Sequence, residues 1–98
     1  MAVQILETES TTVAAGAQVV LDMHNPWNAT VSVFPSAGAT ALVEFSTSPN
    51  DAIRNGTAQW DPWAKGSVTA NTRDIFDSKV AAIRVTATNG SVYVEVQK

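Results

Sequence analysis

A chain of 98 residues, of which 45% are hydrophobic, has room for one folded domain and excludes a second. It contains no cysteine, which excludes a disulfide framework and a thiolate metal site. The formal net charge is −3 and the six basic residues are scattered without a run, which argues against binding to nucleic acid. We therefore expect one domain over residues 1–98, stabilised by packing or by partners, and we expect the chain to form a homo-oligomer.

The chain shows no pattern typical of export or of membrane insertion. Its start lacks a basic segment followed by an apolar stretch of about 7 to 15 residues, so we expect no signal peptide. No run approaches the roughly 18 apolar residues that cross a bilayer, so we expect no membrane association. Residues 1–12 are predicted to form an extended arm or an edge strand.

Residue usage favours β-strands. Thirteen Val and eleven Thr stand against three Leu, and β-branched side chains fit a pleated sheet better than a helix. Strands are predicted, in chain order, over 18–23, 30–34, 40–47, 58–60, 67–70 and 72–76. Because turn signals separate short strands throughout, we predict an all-β fold, an antiparallel β-sandwich or jelly-roll-like barrel of about seven or eight strands.

One short helical turn is predicted near 49–55. Ser48 is placed as its N-cap, Pro49 as its first residue and Gly56 directly after its end. These signals together describe one or two helical turns and not a long helix.

A hairpin is predicted at the end of the chain. Asn89 and Gly90 supply the two positive-φ positions of a type I′ turn, and this turn fixes the register of the strands on either side. In that register one face is continuously apolar, and Arg84 lies opposite Glu95 on the other face. Asn89, Gly90, Arg84 and Glu95 are therefore predicted to be structural residues.

The sequence offers no recognisable catalytic apparatus. His24 is the single imidazole, it lies in a predicted loop, and no Gly-x-Ser-x-Gly turn accompanies it. Asp61, Asp74 and Asp77 would form at most a loose calcium site, and a solvated acidic rim is the favoured interpretation. We therefore predict a protein that is not an enzyme and that needs neither a metal nor a cofactor.

The tryptophans carry the functional hypotheses. Trp60 and Trp63 are three residues apart across Pro62, so in an extended chain their side chains point to opposite sides. We predict that Trp60 closes the core and that Trp63 is exposed. The predicted protein interface consists of Trp63 with its neighbours and a second loop, namely Asp61, Pro62, Trp63, His24 and Trp27. Core packing and stacking on a glycan are the other roles open to these tryptophans.

Several segments together carry a resemblance to a known group of proteins. They are the pattern Val-Glu-Phe-Ser-Thr-Ser from Val43, the turn ending Asn55-Gly56-Thr57-Ala58, the spacing Trp60-x-x-Trp63-x-x-Gly66-x-Val68, and the run from Ala82 to Ser91. This pattern resembles small β-rich virion proteins of tailed bacteriophages, which decorate, cement or staple capsids.

The resemblance implies a jelly-roll or sandwich domain that binds the outer face of an assembled shell, often as an oligomer, without catalytic residues. The expected partner is the major capsid protein or another virion protein. The expected location is the virion, after synthesis in the host cytoplasm. A glycan-binding β-sandwich module that uses exposed tryptophans is the alternative function.

Overall fold

The chain folds, in a computed structural model, into two β-sheets packed face to face. The structure describes residues 5–6, 10–23, 29–76 and 80–97, with residues 5–6 described by their backbone. The described strands are β1 (Ile5–Leu6), β2 (Ser10–Val13), β3 (Gln18–Asp22), β4 (Ala29–Pro35), β5 (Thr40–Ser46), β6 (Asp61–Val68), β7 (Thr72–Phe76), β8 (Ala82–Thr88) and β9 (Val92–Gln97). One helix, α1 (Asn50–Asn55), joins β5 to β6.

The strands pair in a nested order. One sheet runs β1-β3-β8-β5-β6 and the other runs β2-β9-β4-β7. In the series β2 to β9 the first strand pairs with the last and so on inward, all antiparallel: β2 with β9, β3 with β8, β4 with β7 and β5 with β6. Successive pairs belong alternately to the two sheets. This is jelly-roll topology. The two-residue β1 adds to β3 in parallel. The predicted all-β sandwich is confirmed, and β2 forms an edge strand.

The core lies between the sheets because alternate residues of the inner strands, most regularly those of β9, are apolar. Val92, Val94 and Val96 on β9 are buried, whereas the residues between them are exposed. On β8, Ile83 and Val85 are fully buried and belong to the same core cluster. The five-stranded and the four-stranded sheet thus bury one shared apolar interior between them.

The predicted C-terminal hairpin is wrong. β8 pairs with β3 and β5 in one sheet, and β9 pairs with β2 and β4 in the other. The apolar faces of β8 and β9 therefore belong to opposite sheets that meet in the core, and do not lie side by side on one sheet. Arg84 consequently lies opposite Glu44 on β5, and Glu95 lies opposite Ser32 on β4.

Asn89 and Gly90 form a corner between the sheets. Both adopt the predicted positive φ, at 62° and 155°. The corner is braced by neighbouring connections: Ser36 N donates to Ser91 O at 2.9 Å, and Gly16 N donates to Ala87 O at 2.9 Å. The unusual backbone was thus predicted correctly, while its use in a hairpin was not.

β6 begins at Asp61, so the strand predicted over 58–60 is wrong, and of the strand predicted over 67–70 only residues 67–68 belong to β6. Its residues Pro62 and Ser67 lie opposite Glu44 and Leu42, so the register shifts strongly between these two pairs. β6 is the edge of its sheet, where a proline costs no ladder hydrogen bond. The irregular stretch between the two pairs contains Trp63.

The short helix is confirmed, but its cap differs from the prediction. Pro49 occupies the N-cap position, and no side chain caps the helix. The Ser48 hydroxyl instead accepts a hydrogen bond from Gln59 N at 3.0 Å. At the other end Gly56 is left-handed, with φ 74°, as a glycine after a helix commonly is. Ile53 packs with Val20 in a second apolar cluster on the outer side of the five-stranded sheet.

Candidate functional site

The prediction that Trp63 is exposed is wrong. Its side chain is 3% exposed, and its ring stacks on Phe76 in the core with 6.1 Å between ring centroids. The irregular stretch of β6 turns this side chain inward, whereas Asp61 and Pro62 at the start of the strand are exposed. His24 and Trp27, the other members of the predicted interface, lie outside the described residues.

Trp60 is half-buried on the outer side of the five-stranded sheet, where it packs against the cluster that contains Ile53 and Val20. The guanidinium of Arg84 lies 4.5 Å from the centre of its ring. Trp60 and Trp63 thus differ in their surroundings, as predicted, but with their roles exchanged. Trp63 fills the main core and Trp60 covers the outside of a sheet.

A broad exposed surface lies on the outer side of the four-stranded sheet, and we call it the open face. No described helix or strand packs against it. It is formed by the outward-facing residues of four paired strands, as their register and burial pattern show. Its residues are Ser10, Thr12, Thr30, Ser32, Phe34, Arg73, Ile75, Tyr93, Glu95 and Gln97.

A polar row crosses the middle of the open face. Ser32 on the central strand β4 lies opposite Glu95 on one side and Arg73 on the other. Arg73 Nε donates to Ser32 Oγ at 2.8 Å, and this contact accompanies the burial of Ser32, which is 5% exposed. Ser10 on β2 lies opposite Glu95 and extends the row. The row holds one cation and one anion on opposite sides of β4.

A shallow depression of about 470 Å³ follows this row. It is lined by Ser10, Thr30, Ser32, Arg73, Glu95, Val96 and Gln97. A smaller depression, of about 170 Å³, lies where β4 and β7 begin to separate, and it is lined by Phe34, Asn71, Thr72 and Arg73.

Apolar side chains stand on either side of the polar row. The rings of Phe34 and Tyr93 stack across β4 and β9, with centroids 5.9 Å apart and planes 27° apart. Tyr93 is 39% exposed, and its hydroxyl donates to Glu95 Oε2 at 3.4 Å. Ile75 is 58% exposed on β7. The open face therefore combines apolar contact area with hydrogen-bonding groups, as binding surfaces do.

The described residues were also compared with the requirements of a metal site and of a membrane span. In the part of the chain that the structure describes, no three His, Asp or Glu side chains come together in a way that would hold a metal ion. Of the three carboxylates considered for calcium, Asp77 lies outside the described residues, and Asp74 Oδ1 accepts a hydrogen bond from Ile75 N at 2.8 Å. No helix within the described ranges is long and apolar enough to span a bilayer.

The residues of the open face were not predicted from the sequence as binding residues, because the functional hypotheses rested on the tryptophans. A signal was present in the alternation of Val92–Gln97, where Tyr93 and Glu95 fall between buried valines. Phe34 follows the same rule in β4. No known protein family matches the chain, and no curated protein matches it either.

Proposed function

We propose that this chain is a non-enzymatic structural protein of a phage virion, which decorates or staples the assembled shell and is held there by protein contacts of its open face. The observation that carries the proposal is the exposure of Tyr93 and Ile75 on a sheet face that no described element covers. Large exposed apolar side chains rimmed by polar groups mark interaction surfaces. The sequence resemblance to capsid decoration proteins supplies the kind of assembly.

The composition of the open face favours a protein partner. Aromatic residues and Arg are enriched in protein interfaces, whereas Lys is depleted. The open face holds Phe34, Tyr93 and Arg73, and none of its residues is Lys. A hydrogen-bonded sheet also fixes the backbone from which these side chains project, which lowers the entropy lost on docking.

Many copies on one shell make modest contacts sufficient. Each copy that binds the assembled shell but not its separated subunits adds to the stability of the shell. Copies that bridge neighbouring shell subunits gain further from effective concentration. A small, rigid domain without catalytic groups is adequate for this role.

The proposal is tested by binding the purified protein to expanded phage shells and measuring co-sedimentation and the heat resistance of the shells. We expect the protein to co-sediment at micromolar concentration and to raise the temperature at which the shells break. No co-sedimentation, with the protein folded, would refute the proposal.

A matched pair of variants tests the surface. Tyr93→Ala removes an exposed aromatic from the open face, and Leu42→Ala removes an apolar side chain of similar exposure, 36%, from the other sheet. We expect Tyr93→Ala to weaken shell binding at least about tenfold, as interface aromatics often do, and Leu42→Ala to leave it nearly unchanged. Equal effects would show that the open face is not the contact surface.

A glycan-binding module is the second candidate, favoured by the aromatic pair Phe34 and Tyr93 beside the polar row. The two rings stack on each other, so each covers part of the flat surface that a sugar would use. None of the described tryptophans belongs to the open face, and tyrosine signals must therefore report binding. Nuclear magnetic resonance titration with host polysaccharide decides: shifts at Tyr93 and Arg73 would support this candidate, and unchanged spectra would exclude it for that sugar.

A further inference from the structure

We infer that the open face binds a second copy of this chain, in a dimer whose two-fold axis runs close to the direction of β4. The inference rests on the proposed role of the open face as a protein contact surface, and it names a second copy of the chain as a further partner of that surface. Two observations carry it: two opposite charges lie on the two sides of β4, and protruding side chains on one side of β4 match depressions on the other. In addition, a two-fold axis across the strands would bring like charges together.

The charges are self-complementary about β4. Glu95 and Arg73 lie opposite the same residue, Ser32, on the two neighbouring strands. Their backbones are therefore displaced about 5 Å to either side of β4. A two-fold rotation about an axis along β4 exchanges the two sides, so each Glu95 faces the Arg73 of the second copy. Two ion pairs form in one symmetric interface.

The protrusions meet depressions under the same rotation. Tyr93 stands on the β9 side of Phe34, and the smaller depression, lined by Phe34, Asn71 and Thr72, lies on the β7 side of Phe34. The rotation places the Tyr93 ring of one copy over this depression of the other. The packing of a large aromatic side chain into a partner's pocket is typical of the strongest interface contacts.

Ile75 follows the same rule at the other end of the polar row. Thr30 lies opposite Ile75 on one side and Gln97 on the other. Ile75 is the most exposed of the large apolar side chains among the described residues, and Thr30 and Gln97 line the larger depression. The rotation brings Ile75 of one copy to the Gln97 side of its partner, where this depression can receive it.

An axis across the strands fits the surface less well. It would place each Glu95 near the Glu95 of the second copy and each Arg73 near the second Arg73. Like charges placed together in an interface oppose association. The charge pattern thus selects the axis along β4, with the two sheets packed about 10 Å apart as in an ordinary sandwich.

The dimer is expected to be of moderate strength. Four strands spaced about 4.8 Å apart and roughly 20 Å long make a face of only a few hundred Å² per copy, which is the size of a weak, reversible interface. We therefore expect a dissociation constant of about micromolar size. The shell and the second copy use the same face of the protein, so we expect shell binding to compete with dimerisation.

The test is sedimentation equilibrium of the full chain alone over about 1 to 300 µM, a range that brackets a micromolar dissociation constant. Wild-type protein is expected to change from monomer to dimer across this range. A monomer at all concentrations would overturn the inference. If such a monomer still bound shells, the proposed function would stand. If the chain dimerised but failed to bind shells at concentrations where it is monomeric, the proposed function would fall while this inference stood.

Charge exchange makes the test specific to the interface. Arg73→Glu and Glu95→Arg should each raise the dissociation constant at least about tenfold, because each creates two like-charge contacts. Mixing the two variants should restore a mixed dimer, since all contacts then join opposite charges. The double variant Arg73→Glu/Glu95→Arg should dimerise again, which also shows that it folds. Failure of both the mixture and the double variant to dimerise would overturn the inference.

Discussion

The guanidinium of Arg84 lies 4.5 Å from the centre of the Trp60 ring and at the same time binds Glu44. Arg84 Nε and Nη2 are 2.9 and 2.8 Å from Glu44 Oε1, and the side chains are 25% and 20% exposed. Glu44 and Arg84 are cross-strand neighbours on β5 and β8. The arrangement holds the segment after α1 against the outer side of the five-stranded sheet.

We expect Arg84→Met to lower the free energy of unfolding by about 1 to 2 kcal/mol, because it removes the contact with Trp60 and leaves the Glu44 carboxylate partly buried without its partner. Urea unfolding measures the change. The control is a double-mutant cycle with Glu44→Gln, for which a coupling of about 0.5 kcal/mol or more is expected. Additive effects of the two substitutions would contradict the pairing.

Trp63→Ala should be more damaging than Trp60→Ala. Trp63 is a core residue at 3% exposure, and truncation of a buried Trp commonly costs about 3 to 5 kcal/mol. Trp60 is half-buried, and a cost of about 1 to 2 kcal/mol is expected for its removal. Chemical denaturation of both variants decides the order. A larger loss for Trp60→Ala would mean that the tryptophans have the roles predicted from sequence.

The fold class was predictable because alternating apolar residues mark strands wherever one face is buried. The partner of each strand was not predictable in the same way. β8 and β9 have matching apolar faces, which is compatible with pairing in one sheet and equally with meeting across a core. The positive φ of Asn89 and Gly90 serves a hairpin or a corner. The choice depends on β3 and β5, which are distant in sequence.

The candidate site depended on the same distant pairing. The spacing of three residues in an extended chain predicted that Trp60 and Trp63 point to opposite sides. Which of the two faces the core is set by the shifted register between β5 and β6. Likewise Arg73, Ser32 and Glu95 form a row solely because β7, β4 and β9 are neighbours in space. No local pattern in the sequence brings them together.

Asp74 protects the free edge of β7. Ile75 N donates to Asp74 Oδ1 at 2.8 Å, so a main-chain donor of an edge strand is occupied by a side chain. Unoccupied edge donors promote pairing with other chains. We therefore expect Asp74→Ala to increase slow aggregation, measured by light scattering at neutral pH, while Asp74→Asn retains an acceptor and stays close to wild type.

The matched control for Asp74 is Asp51→Ala, which removes the same charge from an exposed position in the first turn of α1. It should not raise the aggregation rate as Asp74→Ala does. Equal aggregation of the two alanine variants would indicate that net charge, and not the edge donor, controls solubility.

Gly90→Ala should destabilise the fold more than Gly38→Ala, although both glycines have positive φ, at 155° and 81°. A Cβ at residue 90 would lie 2.8 Å from Ser36 Oγ and 2.9 Å from Ala39 Cβ, whereas a Cβ at residue 38 would meet nothing within 4 Å. We expect a loss of about 1 to 2 kcal/mol at residue 38 from backbone strain alone. At residue 90 we expect about 2 to 5 kcal/mol, because strain and overpacking act together. Denaturant midpoints of the two variants provide the measurement. Equal losses would mean that the corner between β8 and β9 relaxes away from the β4–β5 connection, and the close packing of these two connections would then not be what holds the sheets at this end.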